Sequence, residues 1–123
     1  MKNKLAIFLL LLISFITLFI AYKSLQPSSY GEEFYNQIII SDSEKTLKNL
    51  TFEEVVSLGK SICSSSSEWK NSDDSLNQIS KILLNFGLKV EIKDRILPIL
   101  RFQAVYELCP ENISILENIF QNE

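Results

Sequence analysis

TFEEVVSLGKSIC, Thr51–Cys63, decides the fold class of this chain. Thr51 is followed three residues later by Glu54, the spacing at which a Thr side chain and a Glu side chain satisfy each other's exposed backbone N–H groups at a helix start. On a 100° wheel Phe52, Val55, Val56, Leu58, Gly59, Ile62 and Cys63 share one face, and Glu53, Glu54, Ser57, Lys60 and Ser61 take the other. The segment is an amphipathic helix, and Cys63 lies on its apolar side.

Working outward, the same period recurs. The cluster NSDDS offers Ser72 or Asp73 as a cap, and Leu76, Ile79, Ile82, Leu83 and Phe86 form the next apolar stripe, ended by Gly87. From about Glu91 to Cys109 the pattern changes: Leu97, Ile99, Leu100, Phe102, Val105, Tyr106 and Leu108 cover nearly all sides, which predicts a central buried helix. Pro98 must kink that helix or mark its true first turn, and Pro110 helps to end it. In the tail, Ile113, Ile115, Leu116, Ile119 and Phe120 make one more stripe, expected to fold back and seal the bundle or to dock on a partner. Residues 32–40 read as a helix or as a short strand through IIISDS. The serine run Ser64–Ser67 reads as a loop. Beyond the N-terminus the expectation is an all-α bundle of four to five helices.

The N-terminus has a different character. Leu5 to Tyr22, LAIFLLLLISFITLFIAY, is broken only by Ser14 and Thr17. Eighteen helical residues rise roughly 27 Å, close to the hydrocarbon thickness of a bilayer. Lys2 and Lys4 precede the run, which keeps the N-terminus cytoplasmic and sends the rest outward. The run exceeds an ordinary signal core, and cleavage after Ala21 would put Phe19 where a small residue is wanted, so a retained anchor is favoured over a cleaved signal. The organisation is then an anchor or signal over residues 1–23, a tether over residues 24–31 and an extracytoplasmic domain over residues 32–123. The localisation expected is a single-pass membrane protein with its C-terminal domain outside, or a secreted or periplasmic protein if cleavage occurs.

Of the 12 basic residues only nine follow Ser24, against all 15 acidic ones, so the exported part carries a net charge of −6. That argues against nucleic acid, which demands clustered Lys and Arg, and against an anionic membrane surface. The chain has no histidine. A Cys/His zinc site and every Ser-His or Cys-His nucleophile pair are thereby excluded, and no metal or other cofactor is expected. Lys60-Ser61 and Ser80-Lys81 place adjacent groups about 100° apart on polar faces, a poor geometry for a serine–lysine dyad. Glu53/Glu54 and Asp73/Asp74 sit in first helical turns, where acids favour the helix dipole. The reading is not an enzyme.

Two cysteines, Cys63 and Cys109, remain. They lack the spacing of a redox dithiol, and a structural disulfide fits a small exported domain in an oxidising compartment. Trp69 and Phe120 are the candidate partner-binding residues, although a lone Trp more often folds over a core. Gly59-x-x-x-Cys63, the Gly87-terminated amphipathic helix and the apolar helix ending Tyr106-x-x-Cys109-Pro110 together resemble a family of small secreted helical domains, domain of unknown function seven-thirty-two. The likeness covers about residues 32–110. It implies that Cys63 pairs with Cys109 and brings no activity with it. The function expected is a membrane-tethered or secreted interaction or structural module; the alternative is an accessory single-pass subunit of a membrane complex, with a protein partner in either case.

Overall fold

A computed structural model describes residues 2–25 and 30–121, with side chains on the first helix described for residues 3–17. Among the described residues the chain is all α-helical: α1 Lys2–Leu25, α2 Glu32–Ser41, α3 Phe52–Ser66, α4 Ser72–Asn85, α5 Ile96–Leu108 and α6 Ile113–Gln121, with a 3-10 turn at Pro110–Asn112 before α6. Of the tether expected over residues 24–31, residues 26–29 lie outside the described residues, while residues 24 and 25 belong to α1 and Gly31 caps α2.

α5 is the hub, packing against α2, α3, α4 and α6, while α3 also packs on α2 and α4. The reason lies in its composition. Leu97, Leu100, Ala104 and Val105 are fully buried, and they meet Phe34 and Ile38 of α2, Val55, Leu58 and Ile62 of α3, and Ile79 and Leu83 of α4 in one core. The expectation of an all-round buried helix is corrected on one side. Phe102 and Tyr106, four residues apart, are 46% and 43% exposed and stack on each other at 4.3 Å between centroids. α5 also begins later than the pattern suggested, at Ile96, which places Pro98 in the first turn, where backbone N–H groups have no intrahelical partner to lose. Residues 91–95 form turns instead.

The local signals explain most of the boundaries. Thr51 accepts from the Glu54 N–H at 3.2 Å, and Glu54 accepts from the Thr51 N–H at 3.1 Å, so the reciprocal cap of α3 is formed. The cap of α4 is Asn71 rather than Ser72 or Asp73: its Oδ1 accepts from the Asp74 N–H at 2.8 Å. At the other end of α4, Leu88 N–H bonds to Leu83 carbonyl and Gly87 N–H to Leu84 carbonyl, each at 3.0 Å. This double closure requires a left-handed residue, and Gly87 supplies it at φ +79°. Residues 32–40 are helical, not a strand, because Phe34 and Ile38 are spaced one turn apart and both fill the core. Ser64–Ser66 are the last turn of α3 rather than a loop.

α2 and α5 run antiparallel, which gives the bundle two poles. Near one pole Gly59 of α3 sits between the Phe34 ring and Leu108, joining the start of α2 to the end of α5. At the other pole Ser41–Glu44 and Thr46 meet Asp94–Ile96 and Ile99 around a small cavity, joining the end of α2 to the start of α5. The Asp42 carboxylate there accepts from the Thr46 and Leu47 N–H groups at 2.9 Å each, which seats Leu47 in the core.

On α1, Leu5, Phe8, Leu11, Phe15 and their apolar neighbours are exposed, Phe15 to 77%. Thr17 donates its hydroxyl to the Ile13 carbonyl at 2.8 Å, so its polar group is satisfied within the helix. Among the described residues no helix is long and apolar enough to cross a membrane. The anchor or signal expectation is therefore unsupported by the structure and stands on the sequence.

Candidate functional site

The two cysteines, 46 positions apart, are joined in a disulfide with a Cα–Cα distance of 6.0 Å. That separation is ordinary for the bond, so the backbones of α3 and α5 are already at bonding distance without displacement. Cys63 reaches this position because it lies one turn after Gly59 on the apolar face of α3. Cys109 reaches it because α5 ends there: its N–H still bonds to the Val105 carbonyl, but its φ of −142° leaves the helix. Cys109 is buried, and Cys63 is half-buried against the core.

A polar chain reinforces the crosslink. Asn112 Nδ2 donates to Ser66 Oγ at 2.8 Å, and Ser66 Oγ donates to the Cys63 carbonyl at 2.6 Å. Ser66 is fully buried, and a hydroxyl without partners at that depth would cost about 1–3 kcal/mol. The 3-10 turn after Pro110 is what carries Asn112 to it. Over the disulfide lies a shallow open groove lined by Tyr30, Lys60, Ser64, Leu108, Glu111 and Asn112. The Lys60 ammonium stands 5.0 Å from the centroid of the Tyr30 ring, a cation–π pair.

A second polar cluster sits in the interior. Arg101, 6% exposed, projects from the middle of α5 toward the start of α4, and its Nη1 donates to Ser72 Oγ and Ser75 Oγ at 2.9 Å each. Its guanidinium lies 4.8 Å from the centroid of the Phe120 ring. A guanidinium stays charged at any relevant pH and is tolerated inside only when hydrogen-bonded. These contacts tie α4, α5 and α6 together. The periodicity alone did not reveal them, because Arg101 falls within an apolar run, and its flanking leucine and phenylalanine were the only cue that it would be drawn inward.

The remaining expected residues are placed as follows. Trp69 is 6% exposed, packs in the core, and donates Nε1–H to Ser65 Oγ at 3.1 Å. It matches the fold-back reading and offers a partner almost no surface. Phe120, expected inside the sealing stripe, is 47% exposed; Leu116 and Ile119 are the buried residues of α6. The correction is geometric: Phe120 follows Ile119 by 100° and so turns to the margin, where it covers Arg101. Ser80 donates its hydroxyl to the Val90 carbonyl at 3.1 Å, and the Lys60 ammonium stands over the Tyr30 ring. Asp74 has its carboxyl held below the usual value, first by accepting from the Lys70 N–H and next from Gln78 Nε2. These bonds tie the Asp74 side chain to the backbone just before α4 and to the next turn of that helix. Among the described residues no cluster of three or more His, Cys, Asp or Glu side chains could hold a metal ion. Comparison of the chain with family models, characterised proteins and solved structures gave no match.

Proposed function

We propose that this chain is an extracytoplasmic helical module, held at a membrane by its N-terminal helix, that serves as an interaction or structural domain rather than as a catalyst. One observation carries the reading: the Cys63–Cys109 disulfide, with its supporting Ser66–Asn112 chain, is integral to the packing of α3 against α5. Disulfides of this kind form and persist in oxidising compartments. The exported location also draws on the sequence, where Lys2 and Lys4 precede the apolar run Leu5–Tyr22. On this reading α1 continues through that run as a retained anchor, and the resemblance to small secreted two-cysteine domains points the same way.

A second reading, an accessory single-pass subunit, is favoured by the Phe102–Tyr106 stack. Two exposed aromatic rings on the outer side of the central helix provide an area that a larger assembly would cover. The test of the main reading is a C-terminal fusion to a reporter phosphatase that is active only after export. Activity with residues 1–25 present and none without them is expected. Full activity of neither fusion, with both chains in the cytosol, contradicts export.

A further inference from the structure

We propose that the disulfide pole of the bundle lies against the headgroups of the membrane that holds the chain, and that Tyr30, Lys60 and Glu111 meet a zwitterionic phospholipid surface there. The proposal rests on the anchor reading above and adds to it an orientation and a lipid contact.

The orientation follows from chain length. α1 ends at Leu25, three residues beyond Tyr22, and the next described residue is Tyr30 at the entry to α2. Five Cα–Cα steps reach at most roughly 17 Å. Three helical residues past the hydrocarbon edge add about 4.5 Å, so Tyr30 stays within roughly 22 Å of that edge. A domain of this size has a radius of gyration of about 12 Å and is roughly 30 Å across. If the opposite pole, with Ser41–Thr46 and Asp94–Ile96, rested on the headgroups, Tyr30 would stand more than 30 Å above the hydrocarbon, counting about 5–8 Å of headgroup layer. The chain cannot reach that far. That excludes the inverted seating, and of the seatings the chain can reach the one that sets the disulfide pole on the headgroups is the one whose chemistry fits.

The chemistry of that pole fits its position. The groove presents one cation, Lys60, and one anion, Glu111, together with the neutral Tyr30, Ser64 and Asn112. Tyr30 is 58% exposed, and tyrosine is enriched at the headgroup level because its ring is apolar and its hydroxyl is wet. A phosphate would pair with Lys60 and a headgroup amine with Glu111. Glu32 and Glu33 open α2 beside this pole and disfavour a surface of net negative charge.

The experiment uses the full-length wild-type chain in phosphatidylcholine nanodiscs containing a lipid with a photoactivated crosslinker on its headgroup. Adducts are mapped by peptide mass spectrometry. Peptides holding residues 30–33, 60–64 and 111–112 should carry several-fold more adduct than those holding residues 41–46 and 94–96. Adducts spread evenly over both poles, or concentrated on residues 41–46 and 94–96, overturn the proposal while leaving the anchor intact. Failure of the chain to co-purify with nanodiscs overturns the anchor and the proposal together. A second variant isolates the cause: twelve Gly/Ser residues inserted between Ser28 and Ser29 add a mean reach of about 19 Å. The asymmetry should then fall toward unity, and an unchanged pattern would show that tether length does not set the orientation.

Discussion

Replacing Gly59 with alanine should destabilise the bundle even though alanine is the better helix former. Gly59 is buried in the middle of α3, and a Cβ built on it would lie 2.5 and 2.7 Å from two atoms of the Phe34 ring and 2.6 Å from Leu108 Cδ1. Carbon atoms in contact prefer about 3.5–4.0 Å, so roughly 1 Å must be found at the junction of α2, α3 and α5. Leu108 is half-buried and can rotate its terminal methyl away. Phe34 is fully buried and its ring is rigid, so the backbone of α2 must shift instead. Overpacking of this kind costs about 1–3 kcal/mol, and the helix-propensity gain of alanine over glycine returns up to about 1 kcal/mol. The net expected loss is about 1–2 kcal/mol. For a domain of this size that lowers Tm by roughly 5–15 °C, read by circular dichroism on the full-length chain in detergent. Phe34→Leu should cost less in the Gly59→Ala background than alone, because it relieves the same overlap. A Gly59→Ala variant melting at or above wild type would refute the close-packing argument.

Three other outcomes are expected. Removing the crosslink with Cys63→Ala and Cys109→Ala together should cost about 4 kcal/mol on the chain-entropy model for a 46-residue separation, checked by urea unfolding. In α6, Ile119→Ala should cost about 2–4 kcal/mol, whereas Phe120→Ala, on a half-exposed ring over Arg101, should cost about 1 kcal/mol; equal costs would contradict the margin position of Phe120. The folded Asp74 carboxyl titrates below its ordinary value of 3.8, so its stabilisation is present above that pH and is lost as pH falls through the folded value. The stability gap between wild type and Asp74→Asn should therefore be constant at neutral pH and close only in acid below about pH 4.

The elements that could be read from the sequence are those whose signals are local. The Thr51–Glu54 cap, the α3 face ending at Cys63, the α4 stripe and its Gly87 stop all depend on residues within a few positions of one another. Where the reading failed, tertiary contacts decided. Asn71 displaces Ser72 as a cap because Ser72 is recruited by Arg101 from 29 residues away. Ser64–Ser66 stay helical because Ser66 is bonded to Asn112, 46 residues on, and Ser65 receives Trp69. Phe102 and Tyr106 break the expectation for α5 because a helix with neighbours on most sides still has one open edge, and composition does not say which. The Cys63–Cys109 disulfide was legible as well, from two lone cysteines placed near helix ends with Cys63 facing inward; the Ser66–Asn112 support beside it was not, because it joins residues 46 positions apart.

The central claim is that this fold is completed outside the cytoplasm, and the thiol state of the chain in living cells tests it most directly. Cells making the full-length protein, or the chain lacking residues 1–25, are quenched in acid, and free thiols are alkylated before any reduction. Intact mass then counts the adducts. The account predicts no alkyl group on the full-length chain and two on the shortened one. Two alkyl groups on the full-length chain from its native host would contradict it.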